Sequence, residues 1–122
     1  MGEYAKFGDF LSAKRRQKGI SSLEMSIRIG ISPGYYCDIE KNRKKYTPER
    51  ELLDKILKEL NLSEKDKLIF FDLAAGVSSQ VSLDLPEYIM GNEVVRAALR
   101  LAKDKADTDD WNQFIEKLKS KE

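Results

Sequence analysis

The chain has 122 residues, 41% of them hydrophobic, with a formal net charge of +1, which suits one domain or a small domain with an extension. The chain has no His and only one Cys, which excludes an intrachain disulfide and a Cys/His metal cluster. It also lacks the apolar core of a signal peptide and any apolar run of roughly 20 residues, which excludes a membrane anchor. We therefore expect a soluble, cytoplasmic protein without metal or cofactor. Residues 1–60 carry 13 Lys/Arg against 9 Asp/Glu, whereas residues 61–122 carry 9 against 12, so the positive charge lies in the first half, as phosphate binding requires.

A first helix is predicted over about Tyr4–Lys18. Phe7, Phe10 and Leu11 have the i, i+3, i+4 spacing of one helical face. Gly19 follows and is expected to end the helix.

A second helix is predicted between Ser21 and Gly30. Ser21 and Glu24 have the spacing of a capping box, which favours a helix start. Taken alone, the strict alternation of apolar and polar residues here is a strand pattern. The cap, the short length between two glycines and the helical neighbours favour a helix. The alternating apolar residues are Leu23, Met25, Ile27 and Ile29.

A third helix is predicted from Pro33 to about Glu40. Ser32 is a favourable N-cap, and Pro33 suits the first helical position. Tyr36 and Ile39, three residues apart, are expected to face the core. Asn42 is one of the few residues other than glycine that accept a left-handed helix stop. A basic run surrounds Asn42: Lys41, Arg43, Lys44 and Lys45.

Two further helices are predicted before Gly76. Thr47-Pro48 is expected to start the fourth helix, whose apolar stripe is Leu52, Leu53, Ile56, Leu57 and Leu60. Ser63 is expected to start the fifth, with the apolar residues Leu68, Ile69, Phe71, Leu73 and Ala74. These helices and the first three make up a predicted domain over residues 1–76.

The remaining residues are predicted to form a linker and a helical extension. The linker is residues 77–85, which are rich in Ser and lack a helical period. The extension is residues 86–122, with a short helix from Pro86, a helix capped by Asn92 and a last helix capped by Thr108. One stripe of the last helix is apolar: Trp111, Phe114, Ile115 and Leu118.

Two Gly-Ile-Ser triplets, at residues 19–21 and 30–32, and the run Ile-Glu-Lys-Asn-Arg at residues 39–43 form a specific composite at their mutual spacing. With it, residues 7–62 resemble the Xre/Cro/CI family of helix-turn-helix regulators, and with the fifth helix the resemblance covers roughly residues 5–75. The resemblance implies an all-α fold: a five-helix lambda repressor-like domain followed here by the helical extension. Other residues carry it too: Phe10, Leu11, Tyr36, Pro48, Leu60, Asn61 and Leu62.

The resemblance also implies DNA contacts for particular positions. Some would start or line the recognition helix in the major groove, and others would contact phosphates, since helix N-termini and Lys/Arg bind phosphate while polar side chains read base edges. The first group is Ser32, Pro33, Gly34, Tyr35, Cys37 and Asp38. The second group is Ser22, Lys41, Asn42, Arg43, Lys44 and Lys45.

The recognition helix departs from the family pattern in ways that limit base reading. Pro33 and Gly34 cannot make bidentate base contacts, so direct reading would rest on Tyr35, Asp38 and Cys37. Asp38 can accept from a cytosine amino group, yet its charge repels phosphate. We infer either a DNA site read partly through its shape or a domain with weakened DNA contacts.

The sequence therefore predicts a non-enzymatic, sequence-specific regulator that binds double-stranded DNA, most simply a repressor that reads the major groove with helix 33–40. The alternative is an antitoxin or other protein-interaction module on the same fold. Three roles stay open for the apolar stripe of the last helix. It packs on its own domain, forms a homodimer that binds an inverted repeat, or binds a second protein.

Overall fold

Eight α-helices and no strand are found in residues 6–78 and 80–121, the part of the chain that the computed structural model describes. The all-α class predicted from the sequence is confirmed. The first helix was expected over about Tyr4–Lys18. Tyr4 and Ala5 lie outside the described residues, Lys6 is the extended N-cap, and the helix ends at Gln17, one residue before the predicted end. The helices are α1 Phe7–Gln17, α2 Ser22–Ile29, α3 Pro33–Glu40, α4 Arg50–Leu60, α5 Glu64–Gly76, α6 Pro86–Met90, α7 Glu93–Lys105 and α8 Thr108–Lys119.

The chain forms two compact units, Met1–Leu85 and Pro86–Glu122. Within the first unit, part of the predicted linker contacts the helical domain. The Thr47 hydroxyl donates to the Ala74 carbonyl over 2.7 Å and lies 2.6 Å from the Ser78 hydroxyl. Leu83 packs against the core. Thr47 therefore joins the segment before α4 to the end of α5.

The first three helices all end in the same left-handed turn. Gly19, Gly30 and Asn42 have φ values of 70°, 75° and 59°. After each of them the next backbone N–H donates to a carbonyl five residues earlier, over 3.2, 3.1 and 2.9 Å. This double-bonded stop, the Schellman motif, satisfies the last carbonyls of a helix and reverses the chain sharply. The turns at Gly19 and Gly30 connect α1 to α2 and α2 to α3, and the turn at Asn42 leads the chain out of α3.

The predicted helix starts are partly right. Ser21, Ser32 and Ser63 each accept the backbone N–H three residues on, as N-caps do. The predicted capping box of α2 is half formed, because the Glu24 carboxylate pairs with Arg28 over 3.0 Å.

Two predicted caps are wrong. The fourth helix begins at Arg50 rather than at Pro48, because the Thr47 hydroxyl is bound to the end of α5. The last helix is capped by Asp107 instead of Thr108, in a full capping box with Asp110. Aspartate is the better cap, so the helix starts at Thr108, one residue earlier than a cap at Thr108 would give.

The core of the first unit is built around Phe70 of α5. Its ring lies 5.3 Å from Phe7, 6.4 Å from Phe10 and 5.5 Å from Phe71, measured between ring centres. Burying one such side chain contributes about 1.5–3 kcal/mol. Tyr36 and the other core residues surround this cluster: Leu11, Ile20, Met25, Ile29, Ile39, Leu53, Ile56, Leu60 and Ala74.

Candidate nucleic-acid interface

The outward face of α3 is a stripe defined by spacing and burial. Tyr36 and Ile39 point into the core and are 0% and 4% exposed, which confirms their predicted positions. The opposite side, at i, i+3, i+4 and i+7, carries a stripe that we call the recognition stripe: Gly34, Cys37, Asp38 and Lys41. Ser32 and Pro33 are exposed at the start of the helix, and the Ser32 hydroxyl accepts the Tyr35 N–H over 3.1 Å. The helix therefore presents short side chains at its N-terminal end, where backbone can approach a ligand closely.

Tyr35 lies at the edge of this surface and is held from two sides. Its ring packs partly buried against the core. The Lys44 ammonium lies 4.7 Å from the ring centre, within the range of a cation–π contact. Tyr35 therefore offers a fixed aromatic edge with a positive charge beside it.

The basic segment that follows α3 is exposed. Lys41, Arg43, Lys44 and Lys45 all face solvent, and among the described residues Lys41 and Lys45 make no ion pair. Arg43 donates to the Asp38 carboxylate over 3.4 Å. The segment thus presents cations at the C-terminal end of the recognition stripe and just beyond it, and Lys41 and Lys45 carry charges that no described carboxylate neutralises.

Asn42 fixes the path of the basic segment through contacts with α1. Its side-chain oxygen accepts the Gly8 N–H over 2.8 Å, and its side-chain nitrogen donates to Asp9 over 3.2 Å. The N-cap of α1, Lys6, makes no side-chain cap of its own, so Asn42 caps α1 from 34 residues away. Its side chain is thereby occupied within the protein, and the predicted contact of Asn42 with DNA stays untested.

A buried ion pair holds the end of α3 from behind. Arg15 of α1 donates to both oxygens of Glu40 over 2.7 and 3.0 Å, and to the Ile20 carbonyl over 2.8 Å. The hydrogen bonds to Glu40 raise the pKa of Arg15, so its charge is permanent. Burial is the main cause that raises the pKa of the Tyr36 phenol, and the nearby Glu40 carboxylate raises it further, so the phenol is neutral. The last turn of α3 is thus fixed to α1 on its inner side.

The remaining predicted contacts surround this surface, and one cation was missed. Ser22 lies half-buried at the start of α2, which packs against α3. Cys37 is a partly buried free thiol. The exposed Arg16 of α1 lines the same groove as Lys41. Residues 9, 12, 13 and 16 have the i, i+3, i+4, i+7 spacing of one face of α1, so the sequence places Arg16 on that face. The spacing indicates a role for Arg16 only after this face of α1 is known to border α3.

The extension presents the other predicted surface. The stripe residues Trp111, Phe114, Ile115 and Leu118 are 39%, 48%, 45% and 47% exposed, respectively. Trp111 and Phe114 contact each other edge to face with ring centres 6.4 Å apart. Within the second unit the stripe is therefore a solvent-facing apolar surface, which we call the α8 stripe.

Neither a metal centre nor a membrane span is seen in the described residues. Across residues 6–78 and 80–121, no three His, Cys, Asp or Glu side chains gather as metal ligands would. None of the helices described combines the length and apolar character that crossing a bilayer requires.

Comparison with known proteins supplies the family. A protein-family sequence model described as a helix-turn-helix domain matches residues 8–77, more than half of the chain. A search of curated proteins returned no match. Among solved structures, the clp gene regulator ClgR from Corynebacterium glutamicum is 27% identical, with 83% of this chain and 92% of that chain covered and a TM-score of 0.46. A chain of the SinR protein/SinI protein complex is 19% identical, with 93% and 94% covered and a TM-score of 0.45. The family match, over the residues that form the recognition stripe and the basic segment, shows that this chain belongs to the helix-turn-helix family and is a DNA-binding transcriptional regulator of the Xre type.

Proposed function

We propose that the protein is a sequence-specific repressor that reads the major groove with helix 33–40. The observation that carries this proposal is the exposed basic segment next to the recognition stripe. Stripe residues of α3 enter the groove, and cations on either side of the groove bind phosphates. The protein represses by occupying an operator inside the cell and excluding polymerase or another regulator.

Individual residues support a division between phosphate binding and base reading. Lys41 and Lys45 have no ion-pair partner among the described residues, so they meet phosphates without first breaking a contact. The start of α2 at Ser22 offers backbone N–H groups to a phosphate. Tyr35 presents an aromatic edge suited to thymine methyl groups. Ser32, Pro33 and Gly34 let the helix N-terminus approach the groove floor, where DNA shape adds to the reading.

The primary experiment is binding of the purified protein to DNA from upstream of its own gene. A scrambled duplex is the competitor, and the measurement is made at two salt concentrations. Specific binding that survives the competitor supports the regulator role and identifies the site. Weak binding that salt abolishes for both duplexes contradicts sequence reading by this surface.

Lys45→Ala is expected to weaken binding to the operator and to the scrambled duplex equally. Because one phosphate contact is lost, the slope of log K against log salt should become shallower by about 0.9. Tyr35→Leu, which keeps an apolar side chain against the core, is the matched variant. It should leave the slope unchanged and lower discrimination between the two duplexes roughly tenfold. A Lys45→Ala variant that changes discrimination instead would contradict the assigned roles.

We further propose that the α8 stripe forms a homodimer. A helical unit shorter than about 40 residues does not bury enough apolar surface alone, and the unit Pro86–Glu122 leaves its stripe exposed. Two acidic residues, Asp109 and Asp110, lie in the first turn of α8, and two basic residues, Lys117 and Lys119, lie in its last turn, where Lys119 also pairs with Glu116 over 3.8 Å. Two antiparallel copies of α8 would place acidic ends against basic ends, which favours a second copy over an unrelated partner. A two-fold dimer binds an inverted repeat.

Phe114→Asp is expected to convert the dimer to a monomer, because it places a charge in the apolar interface. Operator affinity should fall by about two orders of magnitude, since two linked half-sites no longer bind together. Sedimentation velocity at micromolar concentration and operator binding are the measurements. The matched control is Asn112→Asp, which adds the same charge off the stripe of the same helix and should change neither. If the unmodified protein is itself a monomer, the homodimer proposal fails, and packing on its own domain or binding of a second protein, the antitoxin-like alternative, remains for the stripe.

A further inference from the structure

The Arg43 guanidinium lies against the recognition stripe. Arg43 donates its backbone N–H to the Asp38 carbonyl over 2.9 Å as part of the turn at Asn42. Its guanidinium donates to the Asp38 carboxylate over 3.4 Å. Both the backbone and the side chain of Arg43 are therefore anchored to one stripe residue. Lys44, the next cation, is directed elsewhere, over the Tyr35 ring.

The turn at Asn42 determines this placement. The left-handed φ of 59° at Asn42 and its N–H bond to Ile39 over 3.1 Å bring the chain back over the last turn of α3. The Asn42 side chain cannot rotate freely, because it caps α1 at Gly8 over 2.8 Å. The fold thus places the backbone of Arg43 beside Asp38, and the exposed ion pair directs its guanidinium over the same residue.

The pairing changes what each side chain can do at DNA. Arg43 partly neutralises Asp38, so the carboxylate no longer faces the phosphates as an isolated negative charge. A guanidinium has five N–H donors in a planar fork, and one donor toward Asp38 leaves the rest free. A fork held in the groove matches the two acceptors of guanine, O6 and N7.

We propose, on the basis of the proposed function, that Asp38 and Arg43 act as one unit. Arg43 reads a guanine in the major groove, and Asp38 is the residue that positions it. The specificity of the protein then includes at least one G·C pair in each half-site, read from the turn after the recognition helix. Lys45, which has no such partner, keeps a purely phosphate role.

Selection of binding sites from a random duplex pool tests the proposal with four proteins. These are the unmodified protein and its variants Arg43→Lys, Asp38→Asn and Lys45→Ala. Arg43→Lys keeps the charge but loses the fork, so it should lower the preference for guanine at one position at least tenfold and leave the other positions unchanged. Asp38→Asn should lower the preference at the same position. Lys45→Ala should weaken binding throughout and preserve every preference. All four proteins should have the same melting temperature, since these side chains are exposed or half-exposed.

Other outcomes separate this inference from the proposed function. An Arg43→Lys profile identical to that of the unmodified protein would show that Arg43 supplies charge alone, and would overturn the inference while leaving the regulator role intact. An Asp38→Asn variant that alters a different position would mean that Asp38 reads its own base, which also overturns it. If the unmodified protein selects no sequence, the proposed function fails, and the inference fails with it.

Discussion

Replacing Arg15 with methionine is expected to lower the free energy of unfolding by about 3–5 kcal/mol, because a buried carboxylate is left without its counter-ion. The Arg15 and Glu40 side chains are 9% and 10% exposed, and two hydrogen bonds of 2.7 and 3.0 Å join them. The variant also removes the donor to the Ile20 carbonyl. Since a domain is stable by only about 5–15 kcal/mol, much of its stability is at stake. Urea unfolding followed by far-UV circular dichroism measures the change.

Two further variants establish that the pair itself is responsible. Removing both charges in Arg15→Met/Glu40→Met should restore most of the stability, because an apolar pair of similar volume replaces a buried ion pair at little cost. Lys67→Met breaks an exposed pair with Glu64, whose atoms are 3.3 Å apart, and should change stability by less than about 1 kcal/mol. An Arg15→Met protein that unfolds at the urea concentration of the unmodified protein would show that other contacts hold the end of α3.

The features that the sequence predicts well are local ones. The Gly-Ile-Ser triplets predict both the helix ends at Gly19 and Gly30 and the serine caps two residues later, because a stop and a cap each depend on one residue and its immediate neighbours. Asn42 is predicted as a left-handed stop for the same reason. The bounds of α3, and with them the places of most recognition-stripe and basic-segment residues along the chain, can therefore be predicted from the sequence alone.

The fifth helix shows where local patterns stop being sufficient. The run from Leu68 to Leu73 is apolar around much of the helix, so periodicity does not single out the buried face. The prediction included Leu68, which is 58% exposed, and did not include Phe70, which is 0% exposed and lies at the centre of the core. Only the position of α1, which supplies Phe7 and Phe10, determines which side of α5 is inside.

Contacts between distant residues are the other part that the sequence does not reveal. Arg15 and Glu40 are 25 residues apart, and Gly8 and Asn42 are 34 apart. Residues this far apart are not neighbours on one helix, so helical periodicity does not predict either contact. From the sequence, Arg15 is one of several basic residues at a helix end, and Asn42 is a phosphate contact. The packing of α1 against α3 gives both residues a role in holding the basic segment.

Gly8→Ala is expected to destabilise the protein by about 1–3 kcal/mol and to weaken DNA binding at the same time. A Cβ at residue 8 would lie 2.3 Å from the Glu40 carbonyl and 2.6 Å from both the Ile39 carbonyl and the Asn42 side chain. Two of these atoms are backbone, so α1 must move away from the end of α3, with the cost of an overpacked contact. That movement breaks the bond from Gly8 to Asn42 and releases the turn that places the basic segment. Thermal unfolding and operator binding are the two measurements.

Gly34→Ala is the matched control, because Gly34 holds the same second position in α3 that Gly8 holds in α1. Nothing lies within 4 Å of a Cβ built at Gly34, so alanine should stabilise the helix there by up to about 1 kcal/mol through its higher helix propensity. The same substitution at two equivalent helix positions should therefore change stability in opposite directions.

If Gly8→Ala were also stabilising, α1 and α3 could separate without cost. Asn42 would then not be what fixes the basic segment, because its cap on α1 would be dispensable. Asn42→Gly, which keeps the left-handed turn and removes only the cap, would in that case leave both stability and DNA affinity unchanged, whereas a loss of about 1 kcal/mol is expected if the cap holds.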